Sequence, residues 1–237
     1  MGVLTVTPTP EVFSWVPELE DSLKEFDEKR IVELLDSLGN VFVKYNACDD
    51  FGLSMTHRHF DMSKAEILVE SIKDDKSMSV TIPWSYEGTS AEPVDHALWT
   101  SYGMTKRRFI VPQNWCFTKV GELAPFEFLQ IDEQLPMPSE EFGRELYAAL
   151  KALGVERVVG LRRIVNFQGT KSWETTPHGI RANILTFGEQ PEHLKNTKMV
   201  QVLWYFNSTG KLLRGNIFCA VHCGWRWNDC NHCDTCR

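Results

Sequence analysis

The sequence predicts an α+β fold: a curved, mainly antiparallel sheet or partly closed barrel with two packed helices. Short segments rich in β-branched and aromatic residues, separated by turn signals, fill most of the chain. Only two stretches hold an apolar period near 3.6 residues. The 237 residues, 43% hydrophobic, 24% charged and 11% aromatic, have the composition of an ordinary globular protein, long enough for one large domain or two small ones.

Residues 1–17 contain Pro8, Pro10 and Pro17 and predict an extended N-terminal arm pinned by Phe13 and Trp15. Leu23, Phe26, Ile31, Leu34, Leu35 and Leu38 then recur on one helical face, with Gly39 placed to end the helix and Ser22 and Glu25 at capping-box spacing. Segments 41–46, 53–60, 77–84, 107–119 and 126–131 read as strands. The second helix is marked at both ends. Ser139 starts it, Glu140 and Glu141 favour the positive end of the dipole, Phe142, Leu146, Leu150 and Leu153 form a stripe, and Gly154 stops it. Strands follow at 157–167, 180–187, 199–206 and 212–222, the last two joined by a hairpin turn at Asn207-Ser-Thr-Gly210. The expected organisation is an arm (1–17), a single α+β domain (18–218) and a Cys-rich tail (219–237). Within the domain, halves of about 18–135 and 136–218 echo each other as an internal repeat. Each runs from a helix through a Thr-x-His element (Thr56 to His59; Thr176 to His178) to a Leu-Trp pair (Leu98-Trp99; Leu203-Trp204).

A net charge of −7 and a pI near 5.5 oppose attraction to nucleic acid or anionic membranes. The basic run Lys106-Arg107-Arg108 reads as a solvated strand edge or turn. The N-terminus lacks a charged and apolar leader pattern, and no stretch approaches the roughly 20 apolar residues of a membrane span, so the expected location is cytoplasmic. Oligomeric state leaves no signal in the sequence.

The stretch Ser54-Met-Thr-His-Arg-His-Phe-Asp61 carries the chemistry. On a strand, Leu53, Met55, His57 and His59 would share one face. Two imidazoles roughly 6.6 Å apart at Cα can converge on one ion at about 2.0–2.1 Å for zinc. His178 is the expected third ligand, because it leads a strand and because the repeat equates it with His59. Asp61 and then Glu66, Glu127 and Glu174 are the carboxylate candidates, and His96 a weaker imidazole. Such a set suits zinc or a non-haem iron or manganese centre. The alternative is a pair of core histidines satisfied by each other, a carbonyl or water.

Thr-His-Arg-His-Phe-Asp-Met62 resembles the metallo-β-lactamase signature Thr-His-x-His-x-Asp-His, with Met62 where that family has a ligand histidine. The segment from Gly52 to His59 followed by Glu66 is similar to the first cupin motif, although the glutamate comes seven residues after the second histidine rather than four or five. Over a longer span, "HRHFDM…EILVES" with "PQNWCFTKVGELAPFEFLQ" resembles uncharacterised fungal proteins with a His-Arg-His-Phe box, which implies no particular activity.

Five of the seven cysteines lie in the last 19 residues. Cys230-Asn-His232-Cys233 has the turn of a zinc knuckle, and Cys223, Cys230, Cys233 and Cys236 form a candidate structural site, with His222 as a substitute ligand. An iron–sulfur run, a redox-active tail and a disordered end are the competing readings.

The leading functional expectation is a metal-dependent enzyme of small-molecule metabolism: a lyase, isomerase, hydrolase or oxygenase. His57, His59 and His178 would hold a divalent zinc or iron ion, Asp61 or Glu66 would complete or orient the shell, and Arg58 would anchor an acidic substrate. The second is a non-catalytic binding or interaction protein stabilised by zinc in its tail. No Gly-rich phosphate loop or Gly-x-Ser-x-Gly elbow is present, which excludes the commonest nucleotide and serine-hydrolase designs.

Overall fold

The computed structural model describes residues 2–9, 11–28, 30–165 and 170–221. In chain order the elements are β1 (Gly2–Leu4), α1 (Glu11–Trp15), α2 (Leu19–Glu28), α3 (Ile31–Leu35), α4 (Gly39–Lys44), β2 (Phe51–Met55), β3 (Glu66–Ile72), β4 (Met78–Glu87), β5 (Ser90–Pro93) and α5 (His96–Ser101). They continue through β6 (Phe109–Phe117), β7 (Leu123–Ile131), α6 (Glu140–Leu153), β8 (Val159–Arg163), β9 (Ser172–Thr175), β10 (Asn183–Phe187), β11 (Met199–Gln201), β12 (Leu203–Phe206), β13 (Leu212–Arg214) and β14 (Ile217–Ala220).

The strands form one sheet in the order β11-β14-β9-β10-β4-β3-β7-β6-β8-β2-β12-β13, with β1 and β5 beside it. Pairing is antiparallel except for β1 with β6, β3 with β7 and β9 with β14. The path closes on itself because β11 and β12 are two halves of one bent segment, the first pairing with β14 and the second with β2. At the bend, Val202 N–H donates to the Ile217 carbonyl (3.1 Å) and its own carbonyl accepts from Met55 N–H (2.9 Å). The result is the expected α+β barrel with helices outside.

Side-chain alternation divides each strand between the lumen and the outside. Leu53, Met55, Val159, Leu161 and Trp204 pack with Phe26, Ile31, Phe42, Phe142, Leu146 and Leu150 of the helices in the largest core. Ile67, Val69, Val80, Ile82 and Trp84 pack with Leu4 and with Trp99 of α5 in a second. The lumen positions of the same strands are the polar ones: Ser54, Glu70, Thr81, Glu127, Arg162, Glu174 and Asn183, with the small thiol Cys219.

Helix α6 forms where its end signals place it. Ser139 Oγ accepts from Phe142 N–H at 3.2 Å, and Gly154 takes the left-handed conformation (φ 69°) that closes the last turn. The first helical stretch differs from expectation. It breaks at Arg30 (φ 50°), and Gly39 does not end it but opens α4, where a Cβ would fall on the Gly210 carbonyl of the β12–β13 hairpin. Segment 41–46, expected as a strand, is largely this helix: Val41 and Phe42 bury themselves against Phe142 and Phe206, and packing overrides β propensity. Ser22 lies inside α2 rather than at a cap, and its Oγ donates to the Thr56 carbonyl at 2.7 Å. The arm is not simply extended: β1 joins the sheet and α1 buries Phe13, while Trp15 is half exposed. No helix among the described residues is long and apolar enough to cross a membrane.

Candidate metal centre

Strand β2 ends at Met55, before either histidine. Leu53 and Met55 face the helical core, so a continuing strand would have carried His57 there too. Instead the chain leaves the sheet. Arg58 N–H donates to the Pro17 carbonyl (2.9 Å), Arg58 forms a bridge with Glu18, and both imidazoles turn into the end of the barrel.

There they meet Glu174 of β9 and Cys219 of β14, which are paired residues on neighbouring strands. The four ligand atoms lie within 4.8 Å of one another. His57 Nε2 is 3.1 Å from His59 Nε2 and 3.9 Å from a Glu174 oxygen; His59 Nε2 is 3.6 Å from the other Glu174 oxygen and 3.6 Å from Cys219 Sγ. Ligands of a tetrahedral zinc ion lie about 3.3–3.6 Å apart, given bonds of roughly 2.0–2.3 Å. This group could hold a metal ion with little rearrangement. His57 Nδ1 lies 2.9 Å from the Met55 carbonyl, which can only accept, so that nitrogen carries the proton and Nε2 keeps its lone pair for a ligand bond.

Burial controls the electrostatics. Desolvation, with the like charge of His59, pulls the His57 pKa down to about 4, so the ring is neutral and ready to ligate. Desolvation opposes ionisation of Glu174, but the His59 hydrogen bond and the charges of His59, His57 and Arg162 together outweigh it and hold the carboxyl at about 2. Glu127 of β7 is pushed up to about 7, chiefly by desolvation, against the opposing pull of Arg162. Its carboxyl accepts from Asn114 Nδ2. Arg162 lies between the carboxylates, 3.2 Å from Glu70 and 3.9 Å from Glu127, and Glu70 also accepts from Ser79 Oγ at 2.5 Å. The cavity lined by His57, His59, Glu174, Glu127, Asn114 and Arg162 leaves ≈ 20 Å³ for the centres of water molecules, against about 10–15 Å³ for a single water.

The sequence therefore named two of the four candidate ligands, His57 and His59, but expected them on a strand; they lie on the loop after β2. Glu174 stood among its carboxylate candidates; Cys219 was read only as the start of the tail. His178 is not brought to the cluster: it lies exposed in the β9–β10 turn. Asp61 is exposed and pairs with Arg58 at 2.8 Å, and Arg58 turns that way and toward Glu18 rather than into the cavity. Glu66 is clasped by Arg181 at 2.6 and 2.9 Å, which with the Ser63 N–H holds its carboxyl below the usual range, away from the cluster. Cys223, Cys230, Cys233 and Cys236 lie outside the described residues. A lone charged residue inside an otherwise apolar strand would have pointed to the lumen at Glu70 and Glu127, whereas Arg162 stands beside Arg163 and Glu174 among Ser172, Trp173 and two threonines, so neither carries that signal.

No protein-family model, curated protein or solved structure matches this chain.

Proposed function

We propose that this chain is a zinc-dependent enzyme acting on a small molecule in the barrel lumen, with His57, His59, Glu174 and Cys219 as the ligands and Glu127 as the proton acceptor. The observation that carries this reading is the close approach of four donors, His59 and Cys219 buried and His57 and Glu174 half-buried, within 4.8 Å of one another, a spacing close to that of tetrahedral zinc ligands. Charge balance supports it: a doubly charged ion is neutralised by the Cys219 thiolate and Glu174, while Arg162 is offset by Glu70. A thiolate among the donors favours zinc over hard, oxygen-seeking ions. Bound zinc supplies Lewis acidity to a carbonyl or a water. Glu127, in the same cavity and titrating near neutrality, is suited to take up a proton there, with Asn114 fixing its carboxyl. Screening zinc-loaded protein against small esters, lactones, oxo acids and hydroxy acids tests the reading. Turnover that is lost in Glu127→Gln with zinc retained supports it, and no turnover in protein that holds stoichiometric zinc counts against it.

A second reading has its own observation. Four protein donors fill a tetrahedron, which is the pattern of structural zinc, and they join the loop after β2 to β9 and β14 beside the barrel's closing seam. Cobalt substitution separates the two: an added anion perturbs the visible spectrum of a site that opens a coordination position and leaves a closed one unchanged.

A further inference from the structure

The lumen holds more hydrogen-bonding capacity than the protein uses. Arg162 has five N–H groups, yet among the described residues it makes one hydrogen bond, to Glu70, while the Glu127 oxygen at 3.9 Å is beyond bonding range. Its guanidinium lines both the cavity at the metal cluster and a neighbouring one bounded by Glu70, Tyr205, Asn216 and Ser172. Two further polar side chains line the first cavity with an atom lacking any partner among the described residues: Ser54 Oγ and Asn114 Oδ1. Both residues are at least nine-tenths buried. Buried polar atoms are paired in native proteins; of the six such orphan atoms among the described residues, the two whose side chains line this cavity, Ser54 Oγ and Asn114 Oδ1, are the ones a ligand there would complete.

Each orphan specifies a complementary group. A planar guanidinium with free N–H groups matches the two oxygens of a carboxylate, and an Arg–carboxylate pair of this kind is strong when it replaces no water. The Ser54 hydroxyl can donate to the same anion. Asn114 is oriented by its Nδ2 contact with Glu127, so its Oδ1 is the free end and needs a donor. A carboxylate alone does not supply that donor; an adjacent hydroxyl does. At about 10–15 Å³ per water, the ≈ 20 Å³ of the first cavity and ≈ 30 Å³ of the second hold one to three waters each, which restricts the ligand to about two carbons, spanning both cavities beside Arg162. The site is charge-balanced before the anion enters, so the carboxylate is held by directed bonds from the four N–H groups that Arg162 does not spend on Glu70 rather than by net positive charge.

We propose that the lumen binds a small 2-hydroxycarboxylate, its carboxylate held by Arg162 and Ser54 and its hydroxyl donating to Asn114 Oδ1, beside the His57–His59–Glu174–Cys219 cluster. This deepens the enzymatic reading by naming the substrate class of the same site.

The test is calorimetric titration of full-length, zinc-loaded protein with glycolate, acetate and glycolamide. Glycolate binds saturably. Acetate, lacking the hydroxyl, binds roughly three- to tenfold more weakly, the worth of one hydrogen bond. Glycolamide, lacking the charge, binds at least about tenfold more weakly than glycolate. Asn114→Leu brings glycolate down to acetate and leaves acetate unchanged, and Arg162→Lys weakens both acids. No saturable binding of glycolate, glycolamide as tight as glycolate, or a hydroxyl preference that survives Asn114→Leu would overturn the proposal. If circular dichroism shows Arg162→Lys to be unfolded, the Asn114→Leu comparison decides by itself. Elemental analysis of the same samples keeps the two readings apart: protein without zinc refutes the metal site, and glycolate titrated into that metal-free protein still reads on Arg162 and Asn114.

Discussion

Replacing Glu127 by Gln should change how stability depends on pH, and the size of the change follows from its burial. In the metal-free protein the Glu127 pKa stands at about 7 against an ordinary carboxyl value of 4.5, mainly because the lumen desolvates the carboxylate. A folded-state pKa above the unfolded one means that the native state binds the proton more tightly. The stabilisation is complete below the unfolded value and is lost as pH rises through about 7. A shift of that size corresponds to about 3 kcal/mol at about 1.4 kcal/mol per pKa unit. His57 works in the opposite direction. Its pKa falls from 6.5 to about 4, so it contributes stability above its unfolded pKa that is lost as pH falls through about 4. The two slopes overlap and largely cancel in the wild type. In Glu127→Gln only the histidine slope remains in this window. Urea titrations of EDTA-treated protein from pH 4 to pH 8 should therefore show the wild type losing about 3 kcal/mol relative to the variant across that range. Parallel stability profiles for the two proteins would refute the claim that Glu127 is buried as a neutral acid. Zinc should shrink the difference, since a cation in the lumen favours the carboxylate.

Cys219→Ser should leave three ligands and weaken zinc by more than about 100-fold, a loss that already bounds the effect of outer-shell changes; competition with a chromophoric chelator measures it. Gly39→Ala should destabilise by about 1–3 kcal/mol in urea titration, because the added methyl meets the Gly210 carbonyl of the β12–β13 hairpin and the backbones must part. Ser139→Ala should cost about 1 kcal/mol by removing the acceptor at the start of α6, with metal content unchanged.

The parts of the fold legible in the sequence were those with local causes. Helix α6 carries its cap, stripe and stop within 16 residues, from Ser139 to Gly154, and the Asn207–Gly210 turn fixes its hairpin without help from the rest of the chain. Segment 41–46 misled because Val41, Phe42 and Val43 have strand propensity, while the deciding contacts come from Phe142 and Phe206, far away in sequence. The His-x-His pair pointed to a group that could hold a metal ion, which the structure does assemble, yet strand alternation gave the wrong route to it. Only the departure of the chain at Arg58 brings both rings into the lumen. Glu174 and Cys219 are more than 100 residues from the histidines, and their meeting depends on the closure at Val202, for which no short motif exists. His178 was favoured by an internal echo that fixes neither its depth nor its direction.

The most direct test is elemental analysis of full-length protein purified without a polyhistidine tag, comparing wild type, His57→Ala/His59→Ala, and a variant with Cys223, Cys230, Cys233 and Cys236 all changed to Ser. The account predicts an equivalent of zinc that survives loss of the four tail cysteines and disappears with the histidines. Zinc that survives the histidine change and is lost with the tail cysteines would contradict it, and would return His57, His59, Glu174 and Cys219 to the role of a self-satisfied polar core.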